Sequence, residues 1–107
     1  MFINIVEYPP IRMGKDEEFR KWFEWSNTLY EGFDGFISRR LLKPVKGREH
    51  YVEVIEHENE ITFMAMHLSD ERRRAWAKVN ILLEGSPTLG FYEVIIASEE
   101  KYRHEHP

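Results

Sequence analysis

Glu31-Gly32-Phe33-Asp34-Gly35-Phe36 is where this chain changes from one periodicity to another. Before it, Phe19, Trp22, Phe23, Ser26, Leu29 and Tyr30 recur at helical spacing, with Trp25 on the flank. After it, Phe36-Ile37 opens a strand running to about Pro44. The two glycines supply the backbone freedom that a helix C-cap and a tight turn need, and Phe33 and Phe36 anchor both sides of the turn. The junction reads helix, turn, strand, and it constrains the segments on either side.

Upstream, Phe2 to Tyr8 is rich in β-branched and aromatic residues, and Pro9-Pro10 ends it because proline cannot donate to a ladder. Phe2, Val6 and Tyr8 share one face of this strand, with Ile3 and Ile5 on the other, so both faces need cover. The first helix follows Gly14, with Asp16, Glu17 and Glu18 where the macrodipole favours anions. Downstream, Lys46-Gly47-Arg48 turns the chain into a third strand, His50 to His57. Glu58-Asn59-Glu60 begins a short helix carrying Ile61, Phe63, Met64, Met66 and Leu68, apolar nearly all round and so expected to be sandwiched. Ser69 caps a further helix whose inward stripe is Trp76, Val79, Asn80 and Leu83. The last strand is expected over Phe91 to Ser98, and residues 99–107 form a charged tail outside the 1–98 domain.

This order predicts an α+β fold, a ferredoxin-like βαββαβ unit with a four-stranded antiparallel sheet and helices on one face. The bare face is most simply covered by a second copy, giving a homodimer with Asn4 in the interface. The chain has 107 residues, no cysteine and a formal net charge of −4 with both signs interspersed. Those features argue against disulfides, thiolate metal sites and a nucleic-acid partner. No stretch approaches membrane-spanning length and no signal-type run opens the chain, which gives the expectation of a cytoplasmic protein.

From about residue 2 to 97 the elements resemble the antibiotic biosynthesis monooxygenase-like (ABM) family of dimeric α/β barrels. The matching features are the Gly14-Lys15 turn, the aromatic helix, the strand opening at Gly35-Phe36, Tyr51 to Glu56, and the short helix with Phe63 and Ser69. The resemblance implies a pocket between sheet and helices open to small aromatic or polycyclic substrates. In some members it implies monooxygenase chemistry with no metal or flavin, so no cofactor or metal is expected. The haem-degrading branch uses an Asn at the end of strand one, a Trp on the helix after strand three and a ligating His some ten residues on. Alignment on Gly14 and Phe63 puts Glu7, Met66 and Trp76 there. An indole N–H cannot ligate iron, so haem turnover is not expected. A one-residue shift would put His67 in place of Met66.

Glu7, expected to point towards the helices at the pocket rim, and His67, beside Phe63 and Met64, are the candidate catalytic bases for a phenol or enol. Each also has an ordinary surface role open to it. Trp22, Trp25, Trp76 and Asn80 are the candidate ligand-binding residues, Asn80 because a buried amide must find partners. Arg72 lies a turn before Trp76 and can stack on it, and Arg39 or Arg40 can pair across the sheet with Glu53 or Glu93. His104-Glu105-His106 has metal-like spacing without rigid support. The rival to a cofactor-independent monooxygenase is a non-catalytic ligand-binding or stress-associated dimer of the same fold, its pocket space filled by its own aromatics.

Overall fold

A computed structural model describes residues 1–46 and 50–98. The elements are β1 (Phe2–Glu7), α1 (Asp16–Tyr30), β2 (Phe36–Leu42), β3 (Val52–His57), α2 (Glu60–His67), α3 (Asp70–Val79) and β4 (Thr88–Glu93), with a 3-10 turn at Asn80–Leu82. They build a four-stranded sheet in the order β2-β3-β1-β4, every neighbouring pair antiparallel. This is the ferredoxin-like βαββαβ arrangement expected from the element order. The Gly47-Arg48 turn, the 99–107 tail and the His104-Glu105-His106 spacing lie outside the described residues.

The junction after α1 works through Gly35. Its φ is +79°, and a Cβ there would come within 2.3 Å of the Thr62 hydroxyl. Any side chain would therefore meet both backbone strain and the first turn of α2. The Gly35 carbonyl accepts from the Glu58 N–H at 2.8 Å, tying the start of β2 to the approach of α2. Gly32, by contrast, does not adopt a left-handed conformation.

The helices cover the sheet face that carries Phe2, Asn4, Val6 and Tyr8, all buried. Cross-strand register extends this face through Ile55 and Glu53 of β3 and Leu89 and Phe91 of β4. The opposite face carries Ile3, Ile5, Glu7, Val52, Val54, Leu42 and Tyr92, partly or fully exposed. Three expectations are corrected by this alternation. Glu7 does share a face with Ile3 and Ile5, but that face points away from the helices. Asn4 points into the helix-covered core and not into the bare face. β4 runs Thr88–Glu93 and not Phe91 to Ser98, because Glu93 lies opposite Phe2 and β1 offers only one further contact, the Val94 N–H to Met1 carbonyl bond.

Helix α2 is less enclosed than its composition suggests. Phe63 and Met66 are buried, whereas Ile61 and Leu68 lie mostly in solvent. Asn59 caps α2 by accepting from the Thr62 N–H, and Ser69 caps α3 by accepting from the Arg72 N–H. The inward side of α3 is Ala75 and Val79.

Candidate functional site

A narrow cleft lies between the sheet and the α2–α3 junction, lined by Asn4, Val6, Ile55 and Leu89 from the sheet, Tyr30 from α1, Met66 and His67 from α2, and Arg72 and Trp76 from α3, with Glu53 at its floor. About 10 Å³ of it is open to the centre of a water molecule, room for roughly one water. A wider opening requires the Arg72, Trp76 and His67 side chains, each only partly buried, to move.

Beneath the cleft is a polar cluster. The Glu53 carboxylate is 2% exposed and accepts from Arg39 Nε and Nη2, each at 3.2 Å, and from the Tyr8 hydroxyl. Arg39 Nη1 donates to Ser26 Oγ at 2.7 Å, to Asn27 Oδ1 at 2.9 Å and to the Phe23 carbonyl at 3.2 Å. Its guanidinium also lies over the rings of Phe23 at 3.8 Å and Tyr30 at 4.6 Å. Every polar atom of this charged pair is thus engaged, which offsets much of its desolvation. Burial, followed by the Glu53 charge, holds the Tyr8 phenol well above its ordinary pKa. Burial pushes Tyr30 up to about 12. Both remain neutral hydroxyls at pH 7.

Asn4 Nδ2 donates to the Gly90 carbonyl at 2.9 Å. His67 stacks on Phe63 with ring centres 5.2 Å apart, and Phe91 meets it edge-on at 6.0 Å. Burial, then the nearby Arg72 charge, lowers the His67 pKa, so the imidazole is neutral at pH 7. Trp76 stacks on Tyr8 at 6.1 Å, and Arg72 sits 5.0 Å over the Trp76 ring, as the helical spacing suggested.

The cleft therefore brings together only His67 and Trp76 of the six residues singled out from sequence. Trp22 stands behind Trp76 at 6.3 Å and spends its N–H on the Ala75 carbonyl. Trp25 lies on the outer side of α1, where Lys78 covers it at 4.4 Å. Asn80 is exposed at the end of α3, because the helix tightens there into a 3-10 turn and Leu82 and Leu83 take the inward positions. Glu7 is exposed on the far face of the sheet. Asn4, expected in a dimer interface, Tyr30, expected only in the helix stripe, and Glu53, expected only as a cross-strand partner, all line the cleft. The available signal for Asn4 is phase, since it shares its strand face with Phe2, Val6 and Tyr8. Spacing from Gly14 does not locate it, because the Tyr8–Lys15 connection, with its two prolines, is long.

A more open hollow of about 380 Å³ lies elsewhere, lined in part by Arg12, Asp16, Arg20, Lys43, His50 and Tyr51. There Tyr51 donates to Asp16 and accepts from Arg20 Nε at 2.9 Å, so much of its polarity is spent internally. None of the six residues singled out from sequence lines it. Among the described residues no group of three or more His, Cys, Asp or Glu is placed to hold a metal ion, and no helix is long and apolar enough to cross a membrane.

No protein-family model matches the chain. Two curated proteins from strains of Mycobacterium tuberculosis, both heme oxygenase (mycobilin-producing), are 36% identical to it over 75 residues, or 70% of this chain. The match spans 59% of the length of each of those relatives. A Deinococcus radiodurans protein assigned as an antibiotic biosynthesis monooxygenase superposes with a TM-score of 0.80, at 12% identity, over 92% of this chain and 96% of that one. SnoaB, a cofactor-independent oxygenase from Streptomyces nogalater, superposes with a TM-score of 0.76, at 14% identity, over 90% of this chain and 95% of its own. In its four strands, its helical layer and their order, this chain has the fold of the antibiotic biosynthesis monooxygenase-like proteins.

Proposed function

We propose that this protein is a homodimeric, cofactor-independent oxygenase that binds a small aromatic or polycyclic compound in the cleft between the sheet and the α2–α3 junction. The observation that carries the reading is the Glu53–Arg39–Tyr8 cluster at the cleft floor. A desolvated ion pair is rarely the most stable filling for a core, and polar groups held beneath a cleft are a common mark of a working site. The fold shared with SnoaB agrees with this chemistry. In this reading Trp76 supplies a flat surface for the ligand ring and Asn4 a nearby amide. His67, neutral at the cleft side, takes the proton from a ligand hydroxyl, the activation that oxygenation without a cofactor requires. The uncovered Ile3, Ile5, Val52 and Val54 supply the surface for a second copy.

The test is oxygen uptake by the protein with a panel of polycyclic phenols. Uptake that disappears in His67→Ala, with binding retained, supports the reading. Binding without uptake favours the non-catalytic dimer, and absence of binding contradicts the site.

A second reading, haem as substrate, is favoured by two observations: His67 lines the cleft, and the curated relatives are heme oxygenases. At the haem branch's histidine position this chain has Trp76, whose indole cannot ligate iron, so His67 is the donor in the cleft that could meet it. The cleft would have to open well beyond one water. Decay of the Soret band under reductant and oxygen, lost in His67→Ala, would favour this reading over the first.

A further inference from the structure

Arg72 is partly buried, yet it takes part in no ion pair among the described residues. It projects from the first turn of α3, sits over the Trp76 ring and lines the cleft. The acid that shares the cleft, Glu53, is already bonded to Arg39 and Tyr8. With Arg39 balancing Glu53 and His67 neutral, the cleft is left with one uncompensated positive charge. Even a guanidinium only partly withdrawn from water costs free energy when no acceptor faces it.

Tyr30 adds an independent observation on the same cleft. It is 2% exposed, and its hydroxyl has no hydrogen-bond partner among the described residues. A buried O–H left unmatched costs stability, and it costs none if a ligand accepts from it. Burial keeps that phenol protonated, so it serves as a donor at neutral pH. An unmatched cation and an unmatched donor thus line one cleft, beside the Trp76 ring.

We infer that Arg72 and Tyr30 anchor an anionic oxygen of the ligand, so that the cleft selects aromatic compounds carrying a carboxylate or phenolate over their neutral analogues. The inference rests on the cleft being the ligand site, and it adds the charge of the ligand to that reading. An acidic oxygen there neutralises Arg72 and accepts from Tyr30, while the ring stacks on Trp76 in place of the guanidinium. Charge-assisted bonds of this kind are the strong ones.

The experiment is calorimetric titration at pH 7 with 2-naphthoate and with 2-naphthamide, which share one ring system and differ in charge. The parent is expected to bind the naphthoate about tenfold or more tightly than the amide. Arg72→Met should abolish that preference while keeping amide binding, and Tyr30→Phe should reduce it. Urea titration of both variants establishes that they are folded. Equal binding of the two probes by the parent overturns the anchor and leaves the cleft as a ligand site. A preference that survives in Arg72→Met overturns it as well, and directs attention to the Arg12–Lys43 hollow. If neither probe binds, the cleft reading fails and the anchor fails with it.

Discussion

The two ends of the helix-covered core are built from opposite materials. At one end Phe63, fully buried, is ringed by Phe2 at 4.9 Å, His67 at 5.2 Å, His57 at 5.7 Å and Phe91 at 5.9 Å. At the other, Tyr8, Glu53, Arg39 and Ser26 form a polar network of comparable burial, with the Tyr30 ring packed under the Arg39 guanidinium. Aromatic packing contributes stability directly, through apolar area and ring geometry. The ionic network contributes little net stability for its desolvation cost, but it holds its polar groups in fixed places. One end therefore contributes stability directly, and the other holds a charged network in place beneath the cleft.

The largest expected effect is at the aromatic end. Phe63→Ala should cost about 3–5 kcal/mol, read as a lowered urea midpoint with an unchanged slope. Next is the polar end, where Arg39→Met leaves Glu53 buried without its cation and should cost about 3 kcal/mol. Adding Glu53→Leu should restore most of that loss. If Arg39→Met alone is neutral, the pair is not the desolvated unit described above.

A smaller effect concerns protons. Burial lowers the pKa of His57 and of His67 below the ordinary value near 6.5. The unfolded chain then binds more protons than the folded one below about pH 6.5, so stability is complete above that pH. It falls as the pH drops towards the lowered folded values. Urea midpoints from pH 7 to pH 5 should decline, and His57→Gln should flatten the decline. A midpoint that rises on acidification would contradict the assignment. Smallest of all is Asn80→Leu, at an exposed site, with an expected change within about 0.5 kcal/mol and no effect on ligand binding.

Much of the fold was legible because it depends on strong local signals. The Gly35-Phe36 junction, the aromatic spacing in α1 and the Ser69 cap each narrow their segment to few conformations. The cross-strand pairing of Arg39 with Glu53 was also within reach, since alternation leaves few partners. What was not legible was which face of β1 the helices cover. Ile3 and Ile5 are as apolar as Phe2 and Val6, so hydrophobicity alone leaves the choice open, and Glu7 was assigned to the wrong side. Asn80 was misread for a related reason. A helical stripe extrapolated past Val79 misses the tightening into a 3-10 turn, which rotates Asn80 outward and brings Leu82 in. Trp25 looked equivalent to Trp22 by type, but it lies on the outer flank of α1, where Lys78 covers it.

Three tryptophans in three environments allow a direct test of the central claim, that the cleft at the polar end is the ligand site. In a nitrogen-15 correlation spectrum the indole N–H signals of Trp22, Trp25 and Trp76 report on the wall behind the cleft, the outer surface of α1, and the cleft itself. Titration with 2-naphthoate should shift the Trp76 indole most, together with the backbone signals of Asn4, Glu53 and His67, and leave Trp25 unmoved. Shifts confined to Trp25, or to Ile3, Ile5 and Glu7 on the uncovered face, would contradict the account.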